Sequence, residues 1–239
     1  MHTTGHTVLI TGGASGIGFA LAEKFHTAGN RVIVVGRTKE TLAKAAAALP
    51  GITTEVADVS VPADREHLVA KFSDLSILVN NAGMQHNLPI AESSGDEIEY
   101  ELNVNFLAPV LLSRAFLPHL LERKESAIIN ISSGLAIVPK QVASIYCASK
   151  AAMHSFSKTL RWQLEASSVR VFEVLPPLVD TAMTTGRGKG KISPAELARE
   201  FWEGFQSDKF EMLIGKTKLL YFINRLLPSV AEKIMRPGL

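Results

Sequence analysis

The sequence predicts an α/β fold: one doubly wound parallel sheet of about seven strands, with helices on both faces. Three observations carry this. Short β-branched runs alternate with longer helical stretches along the whole chain. Runs such as Val32-Ile33-Val34-Val35 and Ala127-Ile128-Ile129 are apolar without alternation, as in strands buried on both faces. Glycine- and asparagine-rich turns follow the strands, where ligands of such sheets sit.

Strands are expected at 7–10, 31–35, 53–57, 77–79, 127–131, 170–174 and 211–214. Helices are expected at 17–29, 39–48, 64–72, 96–123 and 146–166. Alternation on this scale implies right-handed crossovers. There is no internal repeat or low-complexity linker, so residues 1–239 read as a single domain.

Composition limits the function classes. Of 239 residues, 46% are hydrophobic and 20% charged, which suits a packed core rather than disorder. The net charge is +2 with no concentrated run of Lys and Arg, so nucleic acid is not an expected partner. Cys147 stands alone and cannot form an internal disulfide. The first residues lack a secretory pattern and no eighteen apolar residues run together; a cytoplasmic protein without stable membrane association is the expectation. No His/Cys/carboxylate group shows metal-ligand spacing, so no metal is expected.

The motifs lie after strands. Thr11-Gly12-Gly13-Ala14-Ser15-Gly16-Ile17-Gly18 opens the first helix, where glycines let backbone approach a pyrophosphate at the positive end of the helix dipole. A glycine-rich turn of no chemical meaning is the rival interpretation. After strand two comes Val35-Gly36-Arg37-Thr38, with no acid to accept from ribose hydroxyls. Arg37 instead offers a planar cation suited to a phosphate, favouring NADP(H) over NAD(H). Asp58 and Val59 follow strand three, where the carboxylate could accept from an adenine amino group or cap a turn. Asn80-Asn81-Ala82-Gly83 ends strand four.

Tyr146 and Lys150 are spaced i, i+4, which places both on one helix face. An adjacent ammonium would favour phenolate and draw the tyrosine pKa toward the working range. Ser133, just past strand five, would donate to a substrate oxygen as charge develops.

Together these pieces resemble the short-chain dehydrogenase/reductase family in its compact form, over residues 6–215. Within it the chain is most similar to the DltE-type oxidoreductases, through Asn81-Ala82-Gly83-Met84-Gln85, Ser132-Ser133-Gly134-Leu135-Ala136 and Leu175-Pro176-Pro177-Leu178-Val179-Asp180-Thr181. The resemblance implies a Rossmann-like fold and reversible hydride transfer between a nicotinamide cofactor and a carbonyl or alcohol. It implies a tetrad: Ser133 polarises the carbonyl, Tyr146 moves the proton, Lys150 holds the ribose, and Asn105 anchors a relay water. Asn103 is the competing assignment; an asparagine within a helix fits a functional interruption. The implied cofactor site comprises Gly12, Ala14, Ser15, Gly16, Ile17, Gly18, Arg37, Asp58, Val59, Asn81, Ala82 and Gly83, with Tyr146, Lys150, Pro176, Val179 and Thr181.

The substrate pocket is expected from Gln85, His86, Leu135, Ile137, Gln141, Leu178 and Met183, under a lid near 182–205. Arg187, Lys189 and Lys191, interleaved with glycines, would favour an anionic substrate if that loop closes; a solvated loop is the alternative. Pro176-Pro177 replaces the Pro-Gly of many relatives and should stiffen its loop. The apolar, basic tail at 216–239 is expected to pack on its own domain or on a partner subunit rather than on a membrane. The resemblance suggests a homodimer, with a tetramer less secure. A dinucleotide-sensing protein without turnover is the alternative function.

Overall fold

The fold is described by a computed structural model, covering residues 1–237. Seven parallel strands form one sheet: β1 (Thr7–Thr11), β2 (Arg31–Gly36), β3 (Thr53–Val56), β4 (Ile77–Asn80), β5 (Ser126–Ile131), β6 (Val169–Leu175) and β7 (Glu211–Leu213). Their spatial order is β3-β2-β1-β4-β5-β6-β7. The order reverses between β1 and β4, so a crevice opens beyond their carboxyl ends.

Side-chain alternation divides the core into two layers. Val8 and Ile10 of β1, Val32 and Val34 of β2, and Ala127 and Ile129 of β5 face one side with Phe25, Phe201 and Phe205. Leu9, Ile33, Leu78 and Ile128 face the other with Leu68, Leu112, Phe116 and Leu160. Helices α1 (Gly16–Thr27) and α2 (Lys39–Ala48) contribute to the first layer; α3 (Pro62–Lys71) contributes to the second. The unbroken apolar runs in the sequence follow from this two-sided burial.

The long helix expected at 96–123 is one element with an irregularity. It comprises α4 (Gly95–Leu102), a π-helical turn at Asn103–Leu107, and α5 (Ala108–Leu121). Gly95–Leu121 has the length and composition of a membrane span. Its Ala108, Leu112, Phe116 and Leu120 are nevertheless buried against the sheet, as in a core helix. Ser94 and Glu97 close a capping box at its start.

The sequence left three helices unassigned. After α6 (Ser144–Gln163) come α7 (Pro194–Gln206), α8 (Thr217–Leu226) and α9 (Pro228–Met235). Part of the expected lid, 194–205, is therefore α7, whose Leu197, Ala198, Phe201 and Phe205 are fully buried beside Phe25. Stacked and edge-on contacts join Phe25, Phe201, Phe205 and Phe172 at 5.1–5.9 Å between ring centroids.

A carboxyl group lies in this interior. Glu173 of β6 is buried, and its Oε2 pairs with His154 Nδ1 of α6 at 2.8 Å. That hydrogen bond holds the His154 pKa above the ordinary histidine value. Because the folded-state value is raised, the stabilisation is complete below the unfolded value and is lost as pH rises through the folded one.

Phe205→Ala should cost about 3–5 kcal/mol of unfolding free energy by denaturant titration, as for other truncated core aromatics. As pH rises above roughly 6.5, the ordinary histidine value, the stability of wild type relative to His154→Gln should fall; a flat difference would show the pair to be uncharged.

Candidate active site

The site begins at the meeting of β1 and β4. Thr11 Oγ1 donates to Val79 O at 3.2 Å and accepts from the backbone N–H groups of Asn81 and Ala82, both at 3.0 Å. The Asn81 side chain then donates to Thr11 O at 2.9 Å and to Gly12 O at 3.1 Å. Asn81 thus braces the glycine turn. Gly18 has no room for a side chain: an added Cβ would lie 2.4 Å from Gly12 O and 2.5 Å from Asn81 Nδ2. Gly12 and Gly16 take positive φ, +62° and +54°, which glycine adopts without strain.

Ser15 starts α1 without a side-chain cap, leaving the first backbone N–H groups of the helix to an external acceptor. A cavity of about 610 Å³ opens beside them and runs to the end of β6. Of the expected cofactor residues, Ala14 and Gly18 support the turn without lining this cavity. Gly12, Ser15, Gly16, Ile17, Arg37, Asp58 and Val59 line one half, and Asn81, Ala82, Gly83, Pro176, Val179 and Thr181 continue the wall.

At the end of β2 the Arg37 guanidinium is exposed and donates to the Tyr100 hydroxyl. Asp58 is 3.9 Å away and accepts from Ser60 N and Oγ at 2.9 and 2.7 Å. Burial works against the Asp58 carboxylate, but the Ser60 bonds and Arg37 outweigh it and hold the pKa below the usual range. The Ser60 bonds are the turn-capping contact, and the same side chain lines the cavity where an adenine contact would be made.

Tyr146 and Lys150 share the inner face of α6, with Lys150 Nζ 5.6 Å from the Tyr146 ring centroid. The buried Lys150 donates to Ile131 O at 2.9 Å, and burial lowers its pKa to about 8. The expected depression of the tyrosine is not the dominant effect. Burial pushes the Tyr146 phenol up to about 12, and the nearby Ser133 hydroxyl offsets only part of that. Ser133 also caps the short helical turn after β5, accepting from Leu135 N at 3.1 Å.

The two asparagines separate clearly. Asn105 is buried, its Oδ1 accepting from Met84 N and its amide donating to Met84 O, both at 2.9 Å. Asn103 turns away and donates to Ser60 O at 3.2 Å. Gly83 lies between Asn105 and Lys150: an added Cβ there would lie 3.2 Å from Asn105 Oδ1 and 3.8 Å from Lys150 Nζ. The π turn at 103–107 is the interruption that the asparagines in the sequence signalled.

The expected substrate residues divide. Gln85, Leu135, Leu178 and Met183 line the cavity. His86 instead lies 3.6 Å from Glu101, whose carboxyl is raised by burial. Ile137 packs under the C-terminal helices, and Gln141 is exposed, its backbone N–H donating to Arg236 O at 3.0 Å. Sequence reasoning missed Tyr100, Lys140, Thr217, Leu220, Ile223 and Met235, all on the cavity wall. The apolar repeat at 219–223 was the available signal, but nothing local showed which surface it would cover.

His154, Glu173 and Glu211 come within 4.8 Å of one another, a grouping of metal-ligand type that spacing along the chain did not suggest. It arises from α6, β6 and β7, and His154 already occupies one Glu173 oxygen. Cys147 is free and buried, and burial raises its thiol pKa, consistent with a packing role.

Comparison with known proteins completes the assignment. The model of the short chain dehydrogenase family matches residues 6–191. The chain is 43% identical over 231 residues to an uncharacterized oxidoreductase, DltE, of Bacillus subtilis (strain 168), with 89% of each protein covered. A short chain dehydrogenase from Burkholderia cenocepacia, solved with NADP, superposes at a TM-score of 0.89 with 26% identity, covering 98% of this chain and 99% of the other. A 3-ketoacyl-(acyl-carrier-protein) reductase from Brucella melitensis, complexed with NADH, gives 0.79 at 28% identity, covering 85% and 91%. The chain is an oxidoreductase fold built for a nicotinamide dinucleotide, and it belongs to the short-chain dehydrogenase/reductase family.

Proposed function

We propose that this protein is an NADP(H)-dependent reductase that interconverts a ketone or aldehyde and its alcohol, with Tyr146 as the proton donor and acceptor. The observation that carries this is the convergence of Ser133, Tyr146, Lys150 and Asn105 at the β4 and β5 ends of a cleft that begins at the α1 N-terminus.

The residues present fit a dinucleotide. The close-packed glycine turn and the uncapped start of α1 would take a pyrophosphate, and Arg37 would take a ribose phosphate. When bound, the nicotinamide supplies or accepts the hydride. Val179 and Thr181 would hold its carboxamide, and the Ile192 backbone bonds to Leu178 and Asp180 fix the loop that carries them.

Tyr146 Oη is protonated at neutral pH, as a donor to a developing alkoxide must be. Ser133 Oγ would donate to the same oxygen and orient it. Lys150 is pinned by Ile131 O and carries its charge below about pH 8. That charge would stabilise phenolate once the proton leaves. Asn105 fixes the loop at Met84, the wall opposite α6.

For assembly we infer a homodimer through the outer faces of α4, α5 and α6, where Leu102, Leu107 and Trp162 are exposed.

Tyr146→Phe should reduce turnover by roughly a hundredfold or more, the share of general acid catalysis, while NADPH affinity by fluorescence titration stays close to wild type; retained activity would overturn the assignment. Arg37→Asp should shift the ratio of kcat/KM for NADPH over NADH by roughly ten- to a hundredfold, the worth of a charge-assisted bond; an unchanged ratio would remove the case for NADP(H).

A further inference from the structure

The cleft contains positive charge that the reaction just described does not use. Lys140 lines it, half-buried, and its ammonium donates to the amide oxygen of Asn87 at 2.9 Å. Arg187 is not itself a lining residue but, half-buried, reaches Oε1 of Gln85, which is, at 3.5 Å. Gln85 Nε2 is buried with no hydrogen-bond partner. Among the described residues no carboxylate pairs with Lys140 or Arg187, whereas Lys191 pairs with Asp180 at 3.1 Å and Lys218 with Glu200 at 2.8 Å. Glu101, the buried carboxyl near Tyr146, is 3.6 Å from His86.

Lys140 and Arg187 carry like charge with only amide partners, and half-burying them is unfavourable without an anion. In agreement, burial and the Arg187 charge hold the Lys140 pKa below its usual value. Lys140 Nζ, the Arg187 guanidinium and the orphaned Gln85 amide are all donors, which is the complement of a carboxylate.

Another stretch of the wall is apolar, although Lys216 lies at its edge. Leu135, Leu220, Ile223 and Met235 line the cavity, and they also belong to a small cluster that packs the segment after Ser133 against α8 and α9. An alkyl chain lying there would be removed from water, which favours binding.

We propose that the substrate is an oxo acid, or the corresponding hydroxy acid, whose carboxylate docks on Lys140 and Arg187 and whose alkyl chain lies against α8 and α9. This rests on the carbonyl-reductase reading of the same cleft. The carboxylate is unchanged in the reaction: the carbonyl carbon gains the nicotinamide hydride, its oxygen gains a proton, and the alcohol and oxidised cofactor result.

The test is calorimetric titration of the full chain, saturated with NADPH, with octanoate and with octanamide, alongside turnover of a medium-chain keto acid and its methyl ester. Octanoate should bind roughly tenfold tighter than the amide, and the acid should exceed the ester by a similar factor in kcat/KM, as one charge-assisted contact provides. In Arg187→Gln and in Lys140→Gln, each checked by thermal melting, both ratios should fall toward one. Equal binding of acid and amide, no binding of either, or ratios unchanged in both variants overturns the proposal. Selective octanoate binding with no turnover of any carbonyl would support the anion site and overturn the catalytic reading instead.

Discussion

One hydroxyl ties the site together. Thr11 Oγ1 closes a ring of three hydrogen bonds linking the ends of β1 and β4, the two strands where the order reverses. A parallel sheet leaves a gap at that position because successive crossovers go to opposite faces. The gap is useful only if its two lips stay in register. Thr11 and the Asn81 side chain fix that register, so that the glycine turn, the 81–83 segment and, through Gly83, the Asn105–Lys150 region are placed from one point.

Burial then sets the chemistry. In water a lysine near a tyrosine favours phenolate, but here desolvation raises the phenol and lowers the ammonium together. The free site therefore holds a protonated acid beside a cation that is easily discharged.

Much of this was legible along the chain because it depends on local pattern. All seven strands fall within two residues of their expected bounds, since two-sided burial writes itself as an apolar run. Ser133, Tyr146, Lys150 and the glycine turn fall at fixed offsets from strands, and the fold brings them to one cleft. What could not be found depends on long-range packing. Residues 216–239 read only as an apolar, basic tail, and it is the contact of α8 and α9 with Val138, Leu135 and Ile137 that makes them a cavity wall. Lys140 and Tyr100 had no distinguishing pattern, and the His154–Glu173–Glu211 group joins three elements far apart in sequence. The opposed effect of burial on Tyr146 was equally hidden, because spacing gives neighbours but not solvent access.

The π turn at Asn103–Leu107 carries one more consequence. A residue added to a helical turn rotates everything beyond it by about 100° relative to a regular helix. The two halves of this helix therefore answer to different surfaces: Glu101 and Asn105 turn toward the Met84 loop and α6, while Leu112, Phe116 and Leu120 keep their phase on the sheet. Removing a single residue there would leave α5 seated and swing the polar half out of alignment, an angular error that no side-chain substitution nearby could undo. The site's geometry is in this sense counted in residues, and the helix behaves as a key cut to length.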